Sequence, residues 1–151
     1  MKIAIGCDEA ACDLRDVIKG HLLSQGYHVE DFGTFDSEPV LYPDVAIKVS
    51  EAVVAGQFDR GVLICGTGIG MAIAANKVPG IRAAQCHDTF SAERASRSND
   101  AQIITLGARV IGPELAKVIV DHFLQSSFDG GSSSAKIERI IAYEGRNNSS
   151  E

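Results

Sequence analysis

A chain of 151 residues with 45% apolar and 23% charged side chains has the composition of one globular domain with a hydrophobic core. Its formal net charge of −6 argues against a nucleic-acid partner, which would favour a basic surface. No apolar run approaches the roughly 20 residues of a membrane span, and the amino terminus lacks a signal-peptide pattern, so we expect a cytoplasmic protein without membrane contact. The four cysteines are not spaced like zinc ligands and are expected to be free thiols.

The first half of the chain alternates short apolar runs with amphipathic segments. Lys2–Gly6 and His28–Phe32 are predicted strands, and apolar residues at helical spacing predict a helix over Asp13–Gln25 between them. The stretch 33–43 is rich in turn-forming residues and is expected to be irregular. The apolar face of the helix that follows consists of Val45, Val49, Ala52 and Val53.

The second half continues this alternation. Gly61–Cys65 is a continuous apolar run, as expected of a parallel strand buried on both faces, and a glycine-rich turn leads from it into a helix ending near Lys77. Two more strands are predicted at Ile81–Cys86 and Gln102–Leu106, with a helix over Asp88–Ser98 between them. The last two helices are marked by two sets of residues: Leu115, Val118, Ile119 and His122, then Ile137, Ile140 and Ile141.

Five β–α units predict a single Rossmann-like three-layer α/β domain over residues 1–151, with a five-stranded parallel sheet, helices on both faces and a C-terminal helix. The sequence has no internal repeat, and its polar segment after about residue 144 is expected to be frayed. Ligands of such sheets bind at the carboxyl ends of the strands. Four segments are therefore candidates for the site: Gly6–Glu9, Cys65–Gly70, Cys86–Asp88 and Gly107–Arg109.

The segment Cys65-Gly-Thr-Gly-Ile-Gly70 is the most informative for chemistry. A thiol ends a buried strand, and the glycines bring backbone amides and a predicted helix N-terminus close to it, which favours the thiolate. The same amides can hold an oxyanion, and a base beside an oxyanion site suits proton abstraction next to a carbonyl. The alternative is a dinucleotide loop, but Met71 occupies the position of its third glycine and the loop follows the third strand rather than the first.

Four segments closely resemble the type B ribose-5-phosphate isomerases, a family that includes galactose-6-phosphate isomerase subunits and some tetrose-phosphate isomerases. They are Gly6-Cys7-Asp8, Ile64–Ala84, Ser98-Asn99-Asp100 and Gly107–Val120, and they cover nearly the whole chain in order. The resemblance implies an aldose–ketose isomerase that interconverts ribose 5-phosphate and ribulose 5-phosphate through a cis-enediolate. It also implies that no metal or organic cofactor is needed, and that the protein is a homodimer or a dimer of dimers, with each site completed by the partner subunit.

The same resemblance assigns roles to individual residues. It implies that Cys65 is the base, that Thr67 assists at the same carbons, and that Arg109 binds the phosphate. Asp8 and Asn99 are implied to bind sugar hydroxyls. The enediolate is implied to be held by the backbone amides of Gly66, Gly68, Ile69 and Gly70.

Several positions depart from the family pattern. Glu9 replaces a histidine; it is expected to pair with a cation, bind a sugar hydroxyl or cap the first helix. Ser98 replaces the histidine credited with ring opening. Ser132 and Ser133 replace an Arg-His pair that binds phosphate, and Lys136 stands where a second arginine is common, so Arg109, Lys136 and the serine hydroxyls are expected to bind the phosphate instead.

These departures leave the substrate open. A tetrose phosphate closes no stable ring and needs no ring-opening acid, and the stretch His87–Arg94 resembles the tetrose-phosphate branch, so an erythrose-4-phosphate/erythrulose-4-phosphate isomerase is the alternative. His87 follows a strand at the ligand edge and is a candidate for the missing acid, or simply a residue at a helix start beside the N-cap Asp88. A third alternative is a non-catalytic sugar-phosphate-binding subunit.

Overall fold

The computed structural model describes residues 1–148, and the side chains of residues 1–146. Within that range, five parallel strands form one sheet: β1 (Lys2–Cys7), β2 (His28–Asp31), β3 (Arg60–Cys65), β4 (Ala83–Gln85) and β5 (Ile103–Gly107). The order across the sheet is β2-β1-β3-β5-β4. The predicted α/β class and parallel sheet are confirmed.

Six α-helices connect or follow the strands in the described part of the chain: α1 (Cys12–Ser24), α2 (Tyr42–Val54), α3 (Ile69–Ala75), α4 (Thr89–Arg97), α5 (Pro113–Leu124) and α6 (Ser134–Asn148). Successive strand residues face opposite sides of the sheet, so each strand contributes to two cores. Ile3 and Ile5 pack into a core with residues of α1, α4 and α5, whereas Ala4 and Leu63 pack with residues of α2 and α3. This is the expected three-layer arrangement.

The register of the sheet fixes where the site can lie. Cys7 pairs with Ile64, and Cys65 pairs with Gly107. The carboxyl ends of β1, β3 and β5 therefore meet at one edge, which we call the carboxyl edge. The opposite, amino edge carries the loops that lead into the strands.

Two predictions about helices are wrong in detail. On α5, Leu115 and Val118 are exposed, and the buried face is formed by Ala116, Ile119, Val120, Phe123 and Leu124. The predicted face ran one position too early, because adjacent apolar residues fit two helical phases and only tertiary packing decides between them.

The C-terminal segment is also more ordered than predicted. The helix α6 continues through residues 145–148, where a frayed tail was predicted, and the rest of that predicted tail, residues 149–151, lies outside the described residues. Directly before this additional turn, the Glu144 carboxylate accepts a hydrogen bond from the Gly80 N–H at 2.9 Å, which anchors the helix to the loop before β4. Of the three isoleucines predicted on this helix, Ile137 is buried, but Ile140 and Ile141 are about half exposed.

Candidate active site

Cys65 is the last residue of β3, and the glycine-rich turn curls around its sulfur. The side chain is buried, and the Gly68 N–H donates a hydrogen bond to Sγ at 3.1 Å. A backbone N–H aimed at sulfur stabilises a thiolate more than a thiol, because the donor's partial positive charge faces the anion. The helix α3 after the turn has only seven residues, so the Gly68 amide, rather than a helix dipole, is the donor that faces the sulfur.

The turn depends on glycine at two positions. Gly68 has φ +79°, in the left-handed region, and a Cβ there would meet the backbone of Leu106 at 3.0–3.1 Å. Gly107 lies against the turn from β5, where a Cβ would lie 2.8 Å from backbone atoms of Thr67. The buried Thr105 hydroxyl donates to the Gly68 carbonyl at 2.7 Å and fixes the turn from the same strand. Two of the backbone amides expected to bind the enediolate, those of Gly68 and Ile69, already donate within the chain, to Cys65 Sγ and to the Thr67 hydroxyl.

Arg109 and Asp8 approach the turn from β5 and β1. A Cβ on Gly66 would lie 3.6–3.8 Å from the Arg109 side chain, including its guanidinium carbon, so that cation lies beside the turn. Burial raises the pKa of Asp8, and the N–H of Ala10 and the charge of Arg109 partly oppose this effect. The Asp8 carboxylate also accepts a hydrogen bond from the Ala10 N–H at 3.0 Å. Cys65, Thr67, Asp8 and Arg109 are therefore on the same edge, as the sequence predicted.

Glu9 is exposed and does not cap the first helix. Its carboxylate accepts a hydrogen bond from the Val40 N–H at 3.2 Å, and the residue at the N-cap position of α1 is Ala11. Hydrogen bonds from its own backbone N–H and then from that of Val40 lower the pKa of Glu9. The side chain thus ties the loop after β1 to the irregular segment before α2, a long-range contact that sequence spacing could not reveal.

His87 also lies at the carboxyl edge, but one of its ring nitrogens has a partner. Its Nε2 accepts a hydrogen bond from the Gly107 N–H at 2.9 Å, which requires the neutral ring with the proton on Nδ1. Burial lowers the pKa of His87, and the charge of Asp88 only partly opposes this. Asp88 itself is the N-cap of α4, where it accepts a hydrogen bond from the Ser91 N–H at 2.6 Å, as predicted.

The other predicted site residues lie at the amino edge. Ser98 and Asn99 follow α4 and precede β5, so the length of β5, roughly 15 Å at 3.3 Å per residue, separates them from the edge that holds Cys65. The segment containing Ser132 and Lys136 is tied to the same edge at both ends. The Asp129 N–H donates to the Arg97 carbonyl at 3.0 Å, and Glu144 accepts from Gly80. One chain alone does not bring these four residues to the thiol.

Two residues near the turn were not predicted. The ring of Tyr42, at the start of α2, lies against Gly70 so closely that any side chain at that position would clash with it. Gln85, the last residue of β4, donates from Nε2 to the Thr67 carbonyl at 2.7 Å. The sequence did contain a signal for Gln85, because this residue directly precedes Cys86 at the end of a predicted strand, where site residues are expected.

The remaining thiols are buried away from the turn. Burial raises the pKa of Cys7 and that of Cys86 to about 12, so both are neutral thiols at physiological pH. Nowhere in the described part of the chain do three or more His, Cys, Asp or Glu side chains gather as metal ligands. No described helix has both the length and the apolar character needed to cross a bilayer.

Comparison with known proteins places this arrangement in a family. The sequence profile described as ribose/galactose isomerase matches residues 3–140. The chain belongs to the ribose/galactose isomerase family. Among solved structures, the ribose-5-phosphate isomerase B of Clostridium thermocellum is 48% identical, with a TM-score of 0.95 over 97% of this chain and 99% of that one. The predicted fold, the predicted family and the assignment to aldose–ketose isomerases are thus confirmed.

Curated relatives of similar identity differ in their substrates. The D-erythrulose-4-phosphate isomerase of Pectobacterium atrosepticum is 55% identical over 95% of both chains. The ribose-5-phosphate isomerase B of Listeria innocua is 53% identical over 97% of this chain and 99% of that one. Family membership alone therefore does not identify the sugar, because these two relatives are named for a tetrose phosphate and a pentose phosphate.

Proposed function

We propose that this protein interconverts an aldose phosphate and a ketose phosphate with Cys65 as base, and that its preferred pair is erythrose 4-phosphate and erythrulose 4-phosphate. The observation that carries the chemistry is the hydrogen bond from the Gly68 N–H to Cys65 Sγ. The Ile69 N–H donates to the Thr67 hydroxyl, so the amides of Gly66 and Gly70 are the candidates for binding the enediolate. A thiolate and a set of fixed backbone donors are what an enediolate mechanism needs.

In this mechanism the Cys65 thiolate removes the proton from C2 of the open-chain aldose, and the electron pair moves into a C1–C2 double bond. The negative charge that develops on the former carbonyl oxygen is stabilised by the backbone amides of the turn. The thiol then returns the proton to C1, while the hydroxyl proton passes from O2 to O1. We assign that second transfer to the Thr67 hydroxyl, which accepts the Ile69 N–H at 3.2 Å.

The preference for a tetrose rests on the absence of a suitable ring-opening acid in the described residues near Cys65. Ser98 has no group that titrates near neutrality. His87 is neutral at pH 7, and its Nε2 lone pair is occupied by the Gly107 N–H. A furanose such as ribose 5-phosphate needs a proton on its ring oxygen before C2 becomes acidic, whereas erythrose 4-phosphate is already open.

Ribose 5-phosphate is the second candidate substrate, since Nδ1 of His87 still carries a proton. In that case His87 would donate its Nδ1 proton to the ring oxygen of the sugar, while the hydrogen bond from the Gly107 N–H orients the imidazole. The identity to the Listeria relative supports keeping this candidate. Slow turnover of ribose 5-phosphate alongside faster turnover of the tetrose is the outcome we expect.

We also propose that the active form is a homodimer in which a second copy supplies Ser98, Asn99, Ser132 and Lys136. Two observations support this arrangement: these residues lie at the edge opposite to Cys65, and large apolar side chains remain exposed beside the turn and on α4. Ile69 is 52% exposed, Ile73 59% and Phe90 70%. Asp8, Glu9 and Asn99 would then bind sugar hydroxyls, and Arg109 with Lys136 the phosphate.

The decisive experiment measures isomerisation of erythrose 4-phosphate, erythrulose 4-phosphate and ribose 5-phosphate by the purified protein and by Cys65→Ala. Loss of the base should lower kcat about 10²–10⁴-fold with little change in substrate affinity. Cys86→Ala is the matched control, since that thiol is buried and neutral. A Cys65→Ala protein that retains most of its kcat would exclude the proposed base.

A second measurement separates the enzyme from a non-catalytic subunit. In deuterated water, a working base exchanges the C2 proton of the aldose phosphate for deuterium even before net conversion is detected. Binding of the sugar phosphate without exchange would favour the non-catalytic alternative. Faster turnover of ribose 5-phosphate than of either tetrose phosphate would overturn the proposed preference.

A further inference from the structure

Gln85 and Cys65 both form a hydrogen bond with one peptide unit, the one between Thr67 and Gly68. Its Nε2 donates to the Thr67 carbonyl at 2.7 Å, and the N–H of that peptide unit, which belongs to Gly68, donates to Cys65 Sγ at 3.1 Å. One rigid group is therefore held between the amide of Gln85 and the thiol of Cys65.

The geometry of a peptide makes these two hydrogen bonds dependent on each other. In a planar trans peptide the carbonyl and the N–H point in opposite directions, so fixing one fixes the other. Gly68 has no Cβ to limit its dihedral angles, and rotation of the whole peptide would turn the N–H away from sulfur. A donor on the carbonyl opposes that rotation and also polarises the N–H, which strengthens its bond to an anion.

We propose that Gln85 is a positioning residue that directs the Gly68 N–H at Cys65 Sγ and thereby stabilises the thiolate of Cys65 relative to the thiol. Gln85 acts through the peptide and does not need to touch the substrate. The relevance of this contact to catalysis rests on the proposed role of Cys65 as base, but its effect on the thiol does not.

The chain contains a matched glutamine for comparison. Gln102 also bonds a backbone carbonyl from Nε2, that of Gly80, at 2.8 Å, and it precedes β5 at the amino edge. Replacing either glutamine with methionine keeps the length of the side chain and removes the bond from Nε2. Gln102→Met also removes the bond that its Oε1 accepts from the Arg82 N–H at 2.8 Å, so the control loses more hydrogen bonds than Gln85→Met does. Only the carbonyl bonded by Gln85 belongs to a peptide unit that also bonds the Cys65 thiol.

The test measures the pH at which Cys65 becomes reactive towards iodoacetamide, which attacks the thiolate. Trypsin releases residues 61–77 as a fragment in which Cys65 is the only cysteine, so mass spectrometry follows this thiol alone. We expect Gln85→Met to raise the midpoint of alkylation by about 0.5–1 pH unit, the equivalent of one lost hydrogen bond. Gln102→Met should leave the midpoint unchanged. Gln85→Ala provides a second variant should Gln85→Met fail to fold.

Kinetics provide the functional readout. For Gln85→Met we expect kcat at pH 7 to fall with the thiolate fraction of Cys65, by up to about 3–10-fold, while KM stays within about twofold. The deficit should disappear above the new alkylation midpoint, which a general loss of structure would not produce. An unchanged midpoint in the folded Gln85 variants, or an equal shift in Gln102→Met, overturns the inference. Because alkylation requires no substrate, that result is distinct from a failure of the proposed reaction.

Discussion

Gly107→Ala tests whether catalysis depends on the exact position of the glycine turn. A Cβ built on Gly107 falls 2.8 Å from the Cα, the carbonyl carbon and the carbonyl oxygen of Thr67. Non-bonded carbon atoms prefer a separation of about 3.5 Å, so the Thr67 backbone has to retreat by roughly 0.7 Å. The Thr67 carbonyl belongs to the same peptide unit as the Gly68 N–H that bonds Cys65 Sγ, so this displacement passes directly to the thiol.

The expected loss of activity is larger than the expected loss of stability. A displacement approaching 1 Å in a catalytic geometry can cost on the order of 10²-fold in rate, and we expect kcat to fall about 10–100-fold. Overpacking of this kind destabilises a fold by about 1–3 kcal/mol, which leaves most domains folded. The assay is isomerisation of erythrose 4-phosphate at saturating substrate, with thermal unfolding measured in parallel.

Gly112→Ala is the matched control. A Cβ at Gly112 meets nothing within 4 Å, and the residue is the N-cap of α5, where alanine costs up to about 1 kcal/mol. It should therefore lower stability with little change in kcat. If Gly107→Ala keeps more than half of the wild-type kcat, the position of the Thr67–Gly68 peptide does not limit the reaction.

Three further predictions concern charge, pH and assembly. Arg109→Ala should raise KM for phosphorylated sugars about 10–100-fold, the equivalent of a charge-assisted hydrogen bond, whereas Lys48→Ala on α2 should not; an unchanged preference for phosphorylated over unphosphorylated sugars would contradict this. The pKa of His87 is lowered in the fold, so its contribution to stability should be fully present above the unfolded-state pKa of about 6.5 and lost as pH falls through the folded-state value. The unfolding temperature should therefore depend less on pH between pH 7.5 and pH 5 in His87→Gln than in wild type. His28→Gln, at an exposed histidine, is the control. If the two variants show the same pH dependence, His87 does not make the expected contribution to stability. Deletion from Gly130 onward should abolish both dimer formation and activity, and light scattering that finds an active monomer would refute the proposed assembly.

The sequence predicted the layers of the fold because each layer leaves a local pattern. Continuous apolar runs such as Gly61–Cys65 mark buried parallel strands, and all five predicted strands lie within two residues of the observed bounds at each end. The thiol–glycine turn was equally visible, since a strand end followed by three glycines has few other uses. What remained undetermined was the phase of α5, where neighbouring apolar residues permit two faces.

The site was harder to predict because its supporting contacts join residues far apart in the chain. The bonds from Gln85 to Thr67 and from Gly107 to His87 span 18 and 20 residues, and the bond between Glu9 and Val40 spans 31. Such pairs depend on strand order and register, which a single sequence does not encode locally. For the same reason, the sequence did not reveal that Ser98 and Cys65 are far apart. Both lie near strand ends, but at opposite edges of the sheet.

That separation suggests how substrate preference can change without loss of the chemistry. In the proposed dimer, one copy contributes the thiol, the turn, Asp8 and Arg109, and the other contributes Ser98, Ser132 and Lys136. Three of the departures from the family pattern fall in this second group, which no hydrogen bond within the described chain links to the turn. Ser98→His should therefore restore ring opening and raise kcat for ribose 5-phosphate while leaving kcat for erythrose 4-phosphate nearly unchanged. Equal effects on the two sugars would show that residue 98 acts on the proton transfer itself, and the division of labour between the two copies would then be wrong.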